Sequence, residues 1–291
     1  MSGIVLWLQT LHLKAAGRRI FTFPIPNTAQ ELFIISVPLI TCLLGLVFLV
    51  LPGRMLHLMG LRVHPDYPNA KGEVRSVFAA PLLSTGLACL LLQDPIALQP
   101  GLNITLAIGW TVCVVGRIMQ IVLDGGYRKR VYARLFISLV IAGAAWFAAE
   151  MPYFVCLQAF STYCEFPSSQ AGWFVFAIAL ITLLVGLAML FIPATILQLL
   201  RLEHKTTTVF AIGAPRAINA GFYIAIGGVY LVQPQPPDFV ALVLAGLWLI
   251  SGFGRVISLV FDRNYHLYNI LVMLLQFGTG LMIAGLVFRV V

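Results

Sequence analysis

Trp110-x5-Gly116-Arg117-x6-Asp124 returns 138 residues later as Trp248-x5-Gly254-Arg255-x6-Asp262. Ala107 and Tyr127 extend the match to Ala245 and Tyr265. Upstream the offset becomes 141, as Leu39-Ile40-Thr41 falls on Leu180-Ile181-Thr182. In the same frame Gly45, Leu49 and Pro52 fall on Gly186, Leu190 and Pro193, and Gly72, Arg75, Ala79 and Gly86 on Gly213, Arg216, Ala220 and Gly227. The change of offset marks a short deletion in one loop. A long internal repeat decides the architecture before any local reading does. This one carries charged residues with it inside apolar segments.

The chain has 291 residues, 60% of them hydrophobic and 10% charged. Soluble domains are about a quarter charged, so a water-soluble core does not absorb this composition. A bilayer does, at about 20 mostly apolar residues per span. Eight runs qualify, at roughly 31–51, 76–93, 102–123, 132–150, 172–192, 216–233, 239–261 and 268–289. They are continuous rather than alternating, which excludes barrel strands and leaves helices that satisfy their own backbone hydrogen bonds. The expected fold is all-α and multi-pass: two parallel four-helix repeats, 31–151 and 172–291, joined by an extracytoplasmic linker at 152–171. Four spans per repeat is an even number, so both repeats enter from the same side and are related by an axis along the membrane normal. Residues 1–30 do not read as a signal peptide, because Lys14, Arg18 and Arg19 follow the short apolar run instead of preceding it. Ile4, Leu8, Leu11 and Ala15 share a helical face beside Trp7, the pattern of an interfacial helix.

Positive charge sets the orientation. Arg54, Arg62, Lys71 and Arg75 follow span 1, and Arg128, Lys129, Arg130 and Arg134 follow span 3. Arg201, Lys205 and Arg216 follow span 5, and Arg263 follows span 7. The opposite connections hold acids and no Lys or Arg. Both termini are therefore expected outside the cytoplasm, although Lys14, Arg18 and Arg19 run against this. Cys42, Cys89 and Cys113 lie in spans as small apolar residues. Cys156 and Cys164 flank the outer linker, where they either pair in an oxidising compartment or remain free thiols.

The duplicated polar set carries the chemistry. Arg117 and Asp124 are seven residues apart, as are Arg255 and Asp262, which puts each pair on one helix face about 10 Å apart. A mid-helix arginine costs roughly 2.5–3.5 kcal/mol on insertion scales. Arg75 and Arg216 open spans 2 and 6 at the same edge. The simplest structural pairing is Arg75 with Asp124 and Arg216 with Asp262. Arg117 and Arg255 are then left as candidate ligand-binding residues, facing a shared polar cavity. Glu73 is a further candidate beside Arg117, but its aligned position is Ala214. The competing reading is that the deeper arginines bond helix carbonyls or snorkel, and serve assembly only. Short amphipathic stretches after Pro52 and Pro193, around Met55–Met59 and Ile196–Leu200, read as interfacial.

Glu73-x-Arg75, Gly86, Gly116-Arg117 and Asp124-Gly125 resemble the pattern of a family of small bacterial membrane proteins catalogued only as a domain of unknown function. The second copy offers Arg216, Gly227, Gly254-Arg255 and Asp262, with Ala214 in place of the acid and Arg263 in place of the glycine. The resemblance implies a bacterial inner-membrane protein and supplies no activity.

No nucleophile with a base, phosphate loop or metal motif occurs in the spans, so an enzyme is not expected. No cofactor, metal or nucleic-acid partner is expected either. The reading that accounts for charge kept in both copies is a non-enzymatic membrane protein. It binds or moves a lipid or a small anionic or amphipathic molecule at a polar site near the cytoplasmic side, with membrane lipids, anionic ones included, as partners. The alternative is an accessory subunit packed in a larger membrane complex, for which Gly143, Gly186, Gly227-Gly228, Gly278 and Gly280 offer close-packing positions.

Overall fold

The computed structural model describes residues 28–64, 67, 70–92, 99–125, 127, 129–149, 167, 169–204, 211–232, 238–263 and 265–288. The expected interfacial helix before residue 28 and the Cys156–Cys164 pair lie outside these residues. The described chain is almost wholly helical. Seven helices are long and apolar enough to cross a bilayer: Ala29–Val50, Lys71–Leu91, Leu102–Val122, Lys129–Ala148, Gln170–Phe191, Val240–Phe261 and Leu267–Val287. The chain is a membrane protein. Over the run expected at 216–233, a π-helical turn, Pro215–Asn219, leads into a 13-residue helix, Ala220–Val232.

Local chemistry explains the ends of the elements. Helix α1 (Ala29–Val50) starts where the Thr28 hydroxyl accepts from Glu31 N at 3.1 Å, and Glu31 adds an acid to the first turn. Pro52 has no N–H to continue that helix, so it opens a new one, α2 (Pro52–Leu58). The back half repeats this. Ser169 caps α7 (Gln170–Phe191) by accepting from Gly172 N at 3.0 Å, and Pro193 opens α8 (Pro193–Leu199). In the two short helices Leu56 and Leu197 are buried while Leu58 and Leu199 are exposed, the two-faced character expected of them.

The all-α expectation needs one correction. The chain after α2 forms strand β1 (Leu61–Val63), the chain after α8 forms β2 (Leu202–His204), and the two pair antiparallel. Arg62 lies opposite Glu203 at the centre of the register. Two edge backbones meet there, so their N–H and C=O groups satisfy each other. The Arg62–Glu203 ion pair (3.1 Å) and the His64–Glu203 contact (2.8 Å) reinforce the join.

The remaining helices are α3 (Lys71–Val74) and α4 (Ala80–Leu91), joined by the π turn Arg75–Ala79. Then come α5 (Gln99–Val122) and α6 (Lys129–Ala148) and, in the back half, α9 (Ala220–Val232), α10 (Asp238–Phe261) and α11 (Leu267–Val287). Helix α1 packs on α4, and α7 on α9. Helix α5 packs on α6, and α10 on α11. Between these hairpins the order crosses over: α10 packs on α4 and its π turn, and α5 packs on α9 and the back π turn. Each helical cluster thus takes one hairpin from each half of the chain.

Two glycines permit the crossing. A Cβ at Gly254 meets the Arg75 carbonyl carbon at 2.9 Å and Ser76 N at 3.0 Å. A Cβ at Gly116 collides with the Arg216 carbonyl oxygen and meets Ala217 Cα at 2.7 Å. Only a missing side chain lets the two backbones touch there. Of the other glycines offered for close packing, Gly186, Gly227 and Gly280 face neighbouring helices, whereas Gly143 and Gly278 face nothing within 4 Å.

Candidate functional site

The crossing carries the polar residues with it. Arg75 and Arg216 are 6% and 5% exposed. Each sits in a π turn, whose wider helical step is a recurrent feature of functional positions. Arg75 Nε donates to the Leu49 carbonyl at 2.9 Å, and Arg216 Nε to the Leu190 carbonyl at 3.0 Å. Those carbonyls lie in the last turns of α1 and α7, ahead of Pro52 and Pro193. The outer ends of the two guanidiniums make ion pairs, but not the expected ones. Arg75 pairs with Asp262, and Arg216 with Asp124. The expected pairs, Arg75–Asp124 and Arg216–Asp262, assumed that spans adjacent in sequence pack together at this level. Because α10 lies on the front π turn and α5 on the back one, each arginine meets the carboxylate of the other half.

Glu73 moves in the same way. It was expected beside Arg117, and it pairs with Arg255. Arg255 Nη1 donates to Glu73 Oε1 at 3.0 Å, and Nη2 to Oε2 at 2.6 Å. Asn269 Oδ1 accepts from Nη1 at 3.0 Å, and Gln276 Oε1 from Nε at 3.1 Å. The Gln276 amide in turn donates to Ser76 Oγ at 3.1 Å, and Ser251 Oγ donates to the Ser76 carbonyl at 3.0 Å. Arg255 is 3% exposed, and a buried charge of this kind is tolerable only when paired and hydrogen-bonded. Here it is both.

Arg117 is 4% exposed and is not so provided. Its Nη1 donates to Gln120 Oε1 at 3.1 Å and to the Gly213 carbonyl at 3.2 Å. Its Nε is buried with no hydrogen-bond partner. Among the described residues no carboxylate lies within ion-pair distance of it. The cause is in the sequence. The positions that correspond to Glu73, Asn269 and Gln276 are Ala214, Val131 and Ser138, so three of the acceptors around Arg255 have no counterpart. Arg134, half-buried on α6, acts electrostatically on Arg117, and its Nη2 donates to the Leu58 carbonyl at 3.3 Å. The two candidate arginines therefore do not line one shared cavity. They occupy separate clusters, one with a carboxylate on its arginine and one with none on Arg117 among the described residues.

Residues 171–286 match the model of a family described as a domain of unknown function, DUF4345. That stretch is the back half of the chain, from the start of α7 to the end of α11. No curated protein and no solved structure matches the chain. The matched stretch contains Ala214, Arg216, Arg255 and Asp262 but neither Glu73 nor Asp124, so both of its buried arginines draw their carboxylates from outside the match.

The sequence reading missed Asn269, Gln276 and Gln120. A signal was present: Asn269 and Gln276 are seven residues apart, hence on one face of an otherwise apolar span. Asn219 was missed too. It is fully buried, and neither amide atom has a partner.

Proposed function

We propose that the chain is a fused pair of four-helix units, eight spans in all, set in a bacterial inner membrane with both termini outside the cytoplasm. In this reading it is non-enzymatic, and it holds or moves a lipid or a small anionic or amphipathic molecule at Arg117, near the cytoplasmic side. Support for the fused pair comes from reciprocity. Arg62 and Glu203, opposite each other in the strand pair, are 141 residues apart, which is also the offset that aligns Pro52 with Pro193. A twofold axis through that pair exchanges β1 with β2, Arg75–Asp262 with Arg216–Asp124, and the Arg75–Leu49 bond with the Arg216–Leu190 bond.

The observation that carries the function is the Arg117 guanidinium, buried and, among the described residues, without a carboxylate. A buried cation without a carboxylate is among the least favourable arrangements a membrane interior offers. An anion bound from outside the chain compensates it. Of the three candidate ligand residues only Arg117 remains open, since Arg255 and Glu73 consume each other.

Native mass spectrometry of the gently solubilised protein tests this. The wild type is expected to carry an anionic species that Arg117→Ala loses. Identical bound species on both proteins would falsify the reading. The accessory-subunit alternative draws on the outer face of α11, where Leu267, Leu271, Leu274 and Leu275 are exposed and Gly278 is open. Recovery of the protein only in complex with other membrane subunits, with no small ligand, favours that alternative.

A further inference from the structure

Arg255 and Arg117 spend their donors differently. Arg255 gives its Nη1–Nη2 edge to Glu73 and its Nε to Gln276. Arg117 gives only Nη1, to Gln120 and to the Gly213 carbonyl. Neither Nε nor Nη2 donates to any described residue, and Nε is buried. These two nitrogens form the other flat edge of the guanidinium, with two parallel N–H bonds. That edge matches two oxygens of one carboxylate or phosphate group. The unused part of Arg117 is thus a complete bidentate donor rather than a stray atom.

Its surroundings narrow the class. Arg134 adds a second positive charge from α6. Both helices are apolar and exposed beside these arginines: Ile118 and Val122 on α5 are 46% and 66% exposed, and Ile137 on α6 is 55% exposed. In a bilayer the oxyanion that arrives tethered to acyl chains is the phosphate of a phospholipid headgroup, which basic sites between spans take up. An anion tethered to acyl chains also finds an apolar face where those chains lie.

Building on the anion-site reading above, we infer that the Nε–Nη2 edge of Arg117 takes a phosphate oxyanion, supplied by a phospholipid headgroup or by free phosphate. Glu73 holds the equivalent place against Arg255 and closes that cluster to ligands. Ala214 brings no carboxylate to Arg117.

The test uses full-length delipidated protein, re-exposed separately to phosphatidylglycerol, inorganic phosphate and oleate. Retention is measured by native mass spectrometry for the wild type, Arg117→Gln and Ala214→Glu. The wild type is expected to retain phosphatidylglycerol or phosphate in preference to oleate, and which of the two it retains identifies the source. Arg117→Gln is expected to lower that retention about tenfold or more, the loss for one charge-assisted pair. Ala214→Glu is expected to lower it similarly while leaving Arg117 in place, because the new carboxylate competes for the guanidinium. Retention of oleate as well as or better than phosphatidylglycerol and phosphate overturns the phosphate assignment and leaves the anion site standing. If the wild type retains none of the three, or both variants retain them as the wild type does, the assignment and the site fall together.

Discussion

Arg255 and Arg117 stand at corresponding places in the two halves, both about 4% exposed or less, yet their chemical situations are opposite. The first has a carboxylate, two amide oxygens and a supporting serine network. The second has one side-chain amide and one backbone carbonyl. What separates them is three residues, Glu73, Asn269 and Gln276 against Ala214, Val131 and Ser138. The comparison teaches that a buried charge is defined by its partners and not by its burial. Removing one partner from the satisfied cluster strands a charge, whereas removing the charge from the unsatisfied cluster relieves one. Glu73→Ala is therefore expected to destabilise the protein by about 3–5 kcal/mol. Arg117→Met is expected to leave the delipidated protein unchanged or more stable. Thermal unfolding in one detergent compares the two, and an Arg117→Met loss as large as that of Glu73→Ala breaks the contrast.

The next effect concerns which half supplies which carboxylate. A double-mutant cycle between Arg75 and Asp262 is expected to give a coupling of about 1–3 kcal/mol, and the cycle between Arg75 and Asp124 less than about 0.5 kcal/mol. Reversed values would restore the pairing within each half that sequence order suggests.

That pairing marks where the sequence stopped being legible. Seven long apolar helices were readable because bilayer thickness and helix rise leave a strong apolar signal. The importance of Arg75, Arg117, Asp124, Arg216, Arg255 and Asp262 was readable because charge in an apolar run is rare. Their partners were not readable. Arg75 reaches Asp262 across 187 residues and Arg216 reaches Asp124 across 92, and no local period encodes which hairpins cross. The strand pair was hidden for the same reason, since three residues on each side are too few to show alternation. The loss of Glu73 at Ala214 was visible as a broken repeat, but its meaning depended on knowing that Glu73 belongs to Arg255.

The glycines sharpen the comparison between contact and open surface. Gly254→Ala and Gly116→Ala push a methyl group against the backbone of the opposing π turn, and each is expected to cost about 1–3 kcal/mol. Gly143→Ala and Gly278→Ala meet nothing within 4 Å and are expected to be neutral or to stabilise by up to about 1 kcal/mol, the helix preference for alanine. Equal losses at all four positions would mean that helix propensity, and not the crossing, sets the requirement for glycine.

The smallest expected difference again sets one half against the other. Thr41 and Thr182 correspond, and each hydroxyl donates to the carbonyl four residues back at 2.8 Å. Thr41 also accepts from the Trp110 indole N–H at 3.1 Å, tying α5 to α1. Trp248, the counterpart of Trp110, leaves its buried N–H without an acceptor. Valine at either position removes the same local bond, so the two losses cancel in the comparison. What remains is the indole: Thr41→Val strands a second tryptophan N–H, while Thr182→Val strands none. The front substitution is expected to cost about 1 kcal/mol more than the back one, at the low end of the penalty for an unsatisfied buried donor. Equal unfolding temperatures for the two variants would show that a lone indole N–H is tolerated at this depth, and Trp248 would then need no partner from outside the chain.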